Sequence, residues 1–450
     1  MIILSILPFL LFGVKTALRH QTTLLSPLNL FCVWFLFLFG LYEPFTAIFN
    51  VSFSPRLPFV LMLGSVSMFM GLLVMPRVAL LNKAPPLAAT SRQMRIAKRI
   101  AIAFALYCVF LAATRLHNSG AESVNDLYSF SSAETTEETE GPTTLDAKID
   151  KLLTKPMLYL YLVSLGFLAS GSIKDRIRYI AAPAGIFTLA NLTSYNGRGY
   201  VVLFLGITLV LWSRVSPSGE VRRLLIIGGM GILGFFLLQP LRQGKLLDAG
   251  YSQKDFLESI GTGGEWEATV CVSDLIKEQG YLNLDETARK VADEIYYWVV
   301  NWIPRALWAE KPQTDFAFRT SMEVYGSSYA KEAWVRNFTF VGQGYYLAND
   351  VGVIVIGFLF GLSVVGALKL ASNGCGWQGV YAYLLYISIY LSRDCLTTWL
   401  FDGCAVLLFG YLINRFLFRS RTQPAADRGA LPDSSKVPLA QAGAFHDISQ

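Results

Sequence analysis

Residues 346–368 read YLANDVGVIVIGFLFGLSVVGAL. After Asp350 the run holds no Asp, Glu, Lys or Arg as far as Leu368. A helix rises about 1.5 Å per residue, and about 20 apolar residues cross the hydrocarbon of a bilayer. The segment therefore reads as a membrane-spanning helix. Comparable runs occupy 1–14, 28–47, 57–75, 96–113, 157–171, 179–195, 200–213, 224–239, 377–392 and 396–414. A barrel strand needs only about 10 residues of alternating polarity, so runs of this length predict helices. The chain is 53% hydrophobic and 16% charged, against about 25% charged for a soluble domain. These features predict an all-α, polytopic transmembrane protein of about 11 spans, with a large structured outer loop between the eighth and ninth. Residues 1–14 lack a preceding basic region and read as the first span, not a cleaved signal.

Loop charge sets the expected orientation. Residues 76–99 carry Arg77, Lys83, Arg92, Arg95, Lys98 and Arg99 and no acid. Lys174, Arg176 and Arg178, then Arg214, Arg222 and Arg223, make two short loops basic, and Arg415, Arg419 and Arg421 open the tail. With eleven spans all of these fall on one side, which predicts a cytoplasmic face there. The N-terminus is then outside and the C-terminus inside. The net charge of +6 follows from this distribution and implies no nucleic-acid partner. The expected organisation is transmembrane helices over 1–113, an acidic outer loop over 114–155 and helices over 156–239. A large outer loop over 240–345, helices over 346–414 and a disordered tail over 415–450 complete it. The run ETTEETE at Glu134–Glu140 reads as solvated loop. Tyr281–Ile303 reads as a surface helix with Val299, Val300 and Trp302 on an apolar side. Six scattered Cys and three distant His give neither a disulfide framework nor a metal site.

Four features converge on the outer side of this map. SYNGRGY, Ser194–Tyr200, is a tight turn with glycines flanking Arg198. PLRQGK, Pro240–Lys245, presents Arg242 and Lys245 where a span leaves the membrane. WIPRALWAEKP, Trp302–Pro312, carries Arg305, Trp308 and Lys311 between two prolines. SRD, Ser392–Asp394, places Arg393 and Asp394 at the end of the tenth span. A single arginine at a span end is commonly a lipid-phosphate contact. Several cations framed by Gly, Pro and Trp suit a lipid-linked diphosphate, because the guanidinium fork matches phosphate oxygens.

IPRALWAEKP resembles the outer-loop motif of the Wzy-type polysaccharide polymerases, which join oligosaccharide repeat units of O-antigen, capsular and common-antigen polymers. NGRG, LRQGK, Val341–Gly361 and SRDCLTTWLF extend the resemblance over about 180–410, while the first 170 residues match only in span pattern. Ala309 stands where many relatives have Pro. The resemblance implies a metal-independent, GT-C-like glycosyltransferase without a cofactor. Its partners would be undecaprenyl-diphosphate-linked oligosaccharides and membrane lipids, with a flippase and a chain-length regulator nearby. Arg198, Arg242 and Arg393 would clamp the diphosphate as catalytic residues. Arg305, Lys311, Trp308 and Lys245 would bind substrate, the 304–312 segment closing as a lid. Asp394, then Asp315 and Glu310, are the candidates for a base. Asp402, inside a span, is expected to pair with one of the arginines.

Other classes fit less well. A lipid-linked glycan ligase is expected to use a His in the outer loop, and 240–345 contains none. A transporter or flippase would place charge at the bilayer midplane. A transferase using a polyprenyl-monophosphate donor would need an acidic pair in the first outer loop, where 43–57 offers only Glu43.

Overall fold

The computed structural model describes residues 2–20, 26–40, 53–80, 89–119, 145–192, 206–208, 210–211, 267–303, 307–308, 310–326, 337–372, 374–392 and 395–418. Among these residues every regular element is helical. The amino-terminal helices are α1 (Ile2–His20), α2 (Pro27–Phe35, continued by a π turn), α3 (Leu57–Leu73), α4 (Pro76–Leu80) and α5 (Ser91–Ser119). Next come α6 (Leu145–Ala169) and α7 (Ala182–Leu192), the latter entered through Ile173–Arg176 and a π turn. The segment expected to be the large loop holds α8 (Glu267–Glu278), α9 (Leu284–Asn301) and α10 (Phe316–Tyr325). The last helices are α11 (Thr339–Leu370), α12 (Gln378–Leu391) and α13 (Leu396–Phe416).

Among the described residues 3 helices are long and apolar enough to cross a membrane, in α5, α11 and α13. Helices α1, α3 and α6 carry shorter apolar stretches. The expected spans at 224–239 and most of 200–213, the acidic run at 134–140 and the tail from 420 lie outside the described residues. Two boundaries move. Helix α6 begins at Leu145, inside the expected acidic loop, and α11 begins at Thr339, inside the expected large loop.

Helix α11 is two arms, not one rod. Ala348 (φ −156°, ψ 37°) and Asn349 (φ 49°, ψ −136°) break its helical geometry. Asn tolerates positive φ better than most residues. The Phe340 and Phe360 rings stack at 5.0 Å between centroids, whereas a straight helix would separate them by about 30 Å. Gly344 and Gly352 also meet backbone to backbone, because a Cβ on Gly344 would lie 2.6 Å from the Gly352 carbonyl oxygen. The arm 339–347 thus enters the bundle and turns back into the span that follows.

That span packs on α3 through small residues, the usual way for helices to approach in lipid. A Cβ on Gly357 would lie 2.9 Å from the Gly64 carbonyl oxygen, and one on Gly361 would overlap the Met68 carbonyl oxygen. The matched order of residues makes the two helices parallel. Gly361→Ala is expected to cost about 1–3 kcal/mol, as overpacking does. Gly366 on the same helix faces open space, so Gly366→Ala is expected to gain about 0.5–1 kcal/mol from the lower conformational cost of Ala. Unfolding midpoints of both variants in the same detergent check the pair, and equal midpoints would contradict this packing.

The bundle has two chemically distinct ends. At one, Lys98 pairs with Asp175 at 2.7 Å and Gln93 Nε2 donates to the Phe418 carbonyl at 2.8 Å. This brings together the start of α5, the turn before α7 and the end of α13, with their arginines and lysines. At the other end α3, the second arm of α11 and α13 begin, and α8, α9 and α10 pack there. Helix α12 lies between, with nearly all of its residues buried. Its Ser388 accepts a hydrogen bond from Trp399 Nε1 at 2.8 Å.

Candidate functional site

Among the described residues a dense polar cluster lies where α9, α10, the first arm of α11 and the start of α13 meet. Helix α9 starts at a capping box, with Asn283 and Glu286 exchanging hydrogen bonds. Its i, i+4 pair Lys290 and Glu294 shares one face, and both side chains are buried, at 7% and 6% exposure. The Glu294 carboxylate receives Arg319 of α10, Gln343 Nε2 at 2.8 Å and Thr397 Oγ1 at 3.1 Å. Gln343 Oε1 accepts the Leu396 backbone N–H at 2.8 Å. That N–H belongs to the first turn of α13, where helices leave donors without an internal partner. Arg319 also lies over the Tyr297 ring, 3.9 Å from its centroid.

A second shell of charge adjoins the first. Lys290 Nζ donates to Gln279 Oε1 at 3.3 Å and pairs with Glu323 at 3.2 Å. It sits 3.6 Å from the Tyr346 centroid, and Tyr346 donates its hydroxyl proton to Glu323 at 2.7 Å. Burial lowers the Lys290 pKa from its usual value, and the Glu323 charge opposes that fall. Tyr325 donates to Asp274 at 3.0 Å; burial first, then nearby negative charge, pushes its phenol above the ordinary range. At the rim Arg56 pairs with Asp350 at 2.7 Å and stacks on Tyr281 at 4.6 Å. Asn349, at the kink, accepts the Leu282 N–H and donates to the Gly280 carbonyl.

Hydrogen bonds fix the described residues on both sides of Arg393 and Asp394. On one side Trp34 Nε1 donates to Ser392 Oγ at 2.9 Å. On the other, Leu396 and Thr397 are fixed by Gln343 and Glu294. Arg393 and Asp394 themselves lie outside the described residues, as do Arg198, Arg242, Lys245 and Arg305. Trp308 is half-buried and Glu310 exposed. Asp315 caps α10 by accepting the Phe318 N–H at 3.0 Å. Asp402 pairs with Lys155 at 3.2 Å, where the sequence led us to expect an arginine; the early start of α6 puts Lys155 within reach. Val300 is buried and Val299 exposed, so the expected apolar side of α9 is divided between two faces. No group of His, Cys, Asp and Glu among the described residues could hold a metal ion.

Lys311 takes a place the sequence did not suggest. It is 8% exposed, and its ammonium donates to the carbonyls of Asn301 at 3.0 Å and Ile303 at 2.9 Å. It closes the carboxyl end of α9, where the helix leaves acceptors without internal donors. A cation held over substrate alone could be neutralised without loss of stability. This geometry predicts instead that Lys311→Met costs about 1–3 kcal/mol, since buried carbonyls lose their donor. Thermal unfolding followed by tryptophan fluorescence checks it, and an unchanged midpoint would contradict the capping role.

The comparisons supply no relative: no family model, no curated protein and no solved structure matches this chain. Glu294 and Arg319 lie outside the motifs, and Gln343 falls inside Val341–Gly361 without having been singled out. Their only sequence signal is the i, i+4 spacing of Lys290 and Glu294, which ordinarily marks an exposed pair.

Proposed function

We propose that this protein polymerises undecaprenyl-diphosphate-linked oligosaccharide repeat units on the outer face of the bacterial inner membrane. The observation that carries this reading is the ordered set NGRG, LRQGK, IPRALWAEKP and SRDCLTTWLF. Two structural facts support it. The helices of the large segment pack at the end of the bundle opposite the basic end. Their buried network also holds Leu396 and Thr397, which follow SRD closely in sequence. In this reading the basic end is cytoplasmic, the chain crosses the membrane about eleven times, and the N-terminus lies outside.

The reaction is a glycosyl transfer. A hydroxyl of one lipid-linked repeat unit attacks the anomeric carbon of the growing chain. The bond from that carbon to the diphosphate oxygen breaks, and undecaprenyl diphosphate leaves with the electron pair. The hydroxyl proton passes to a base, for which Asp394 is the first candidate. Arg198, Arg242 and Arg393 neutralise the charge that develops on the diphosphate, a preorganised electrostatic role. Arg305, Trp308 and Lys245 bind substrate around them, and Lys311 serves by fixing the segment that carries Arg305. A flippase would supply the substrate, and a chain-length regulator would set the product.

The test is glycan analysis of a strain lacking this chain. Polymer should shorten to one repeat unit, with single lipid-linked units accumulating outside the cytoplasmic membrane. Accumulation inside would indicate translocation. Full-length polymer left unattached to its lipid core would indicate a ligase.

A further inference from the structure

Helix α9 has two unlike halves. In its first half exposed Leu284 and Val291 stand among the charged Asp285, Glu286, Arg289 and Asp293, which also face solvent. After Asp293 its exposed residues are Ile295, Tyr296 and Val299, followed by Trp302 and Ile303. Ile295 is 60% and Val299 53% exposed, while the one charged side chain in this half, Glu294, is turned inward.

The two halves also lie at different depths. Near the start of α9, the Leu282 N–H bonds Asn349 at the kink of α11, where the Arg56–Asp350 pair marks the polar rim. Near its end, Trp302 packs on Phe401 of α13 at 4.6 Å between centroids. Phe401 lies five residues, or about 7.5 Å, inside a helix whose composition suits a membrane span. The apolar half thus runs along the flank of a span and joins its apolar surface, which includes Leu408, Phe409 and Leu412.

The end of the helix finds donors for its carbonyls within the protein. A terminus in hydrocarbon must find donors for its last carbonyls within the protein. Lys311 supplies them to Asn301 and Ile303, as described above, and Thr314 Oγ1 donates to Asn301 Oδ1 at 2.9 Å.

We propose that α9 slants from the aqueous surface into the bilayer, and that Ile295–Ile303 contacts lipid acyl chains. Part of the large segment is then embedded in the membrane, not suspended above it. The inference is independent of the proposed enzymatic activity.

An environment-sensitive fluorophore attached to cysteine tests it in the full chain. The background is Cys375→Ser with Cys404→Ala, because the other described cysteines are buried. Single cysteines replace Ile295, Val299, Asp285 or Arg289, and each labelled protein with a parental unfolding midpoint is placed in vesicles of phosphatidylethanolamine and phosphatidylglycerol. Labels at 295 and 299 should emit to the blue, be quenched by phospholipids carrying nitroxide on the acyl chain, and resist iodide. Labels at 285 and 289 should show the reverse. Iodide quenching at 295 and 299 equal to that at 285 would place the helix tip in water and overturn the proposal. Protection from both quenchers would overturn it too, by showing a second copy or another part of the chain over the face. The vesicles contain no polyprenyl lipid, so quenching by nitroxide phospholipid cannot report a substrate tail.

Discussion

Glu294→Ala is expected to destabilise the protein by about 3–5 kcal/mol, the usual cost of breaking a buried ion pair from one side. The substitution leaves Arg319 charged and without its carboxylate. It also removes the acceptor for Gln343 and Thr397, so the first turn of α13 loses its direct bond to α9. A double variant, Glu294→Met with Arg319→Met, should recover much of the loss, because it removes both charges and keeps volume. Chemical unfolding of the three proteins in one detergent, followed by tryptophan fluorescence, measures both effects. A midpoint for Glu294→Ala equal to the parent's would show that the pair carries no weight in the assembled loop.

Arg198→Ala and Arg242→Ala should each lower the polymerisation rate by about 10²–10³-fold, the typical effect of removing one donor from a developing anion. This expectation rests on the proposed function. The measurement uses purified protein with lipid-linked repeat units, alongside protein yield and unfolding midpoint, which should stay near parental. Lys at either position should restore activity only in part, since an ammonium is a point charge and lacks the bidentate fork. Polymer of normal length and rate from either Ala variant would remove that arginine from the clamp.

The helices were legible because long apolar runs leave the backbone polar groups few partners but one another. Those expected at 57–75, 96–113, 377–392 and 396–414 fall on α3, α5, α12 and α13 with ends displaced by a few residues. The reversal in α11 was legible only at its turn: the span was placed from 346, three residues before Asn349. The arm 339–347 escaped notice because its reason is tertiary, the stacking of Phe340 on Phe360 and of both arms' glycines. The Glu294 network escaped for the same kind of reason. An acid and a base four apart on an amphipathic helix look like a solvated pair, and only the partners on α10, α11 and α13 reveal burial. Lys311 was noticed for its charge, but its role depends on which carbonyls end α9. Asp402 was correctly read as paired, and its partner was missed because α6 begins earlier than hydropathy suggests.

The hydrogen bond between Thr397 and Glu294 spans 103 residues of sequence. A ribosome adds about 5–20 residues per second, so Glu294 is made roughly 5–20 s before its last partner. Once α9 and α10 have been made, they wait for the turn of α13 that completes their polar interior. Helix α13 therefore acts as the keystone of biogenesis: a chain stopped before Leu396 would carry an unfinished, charged seam.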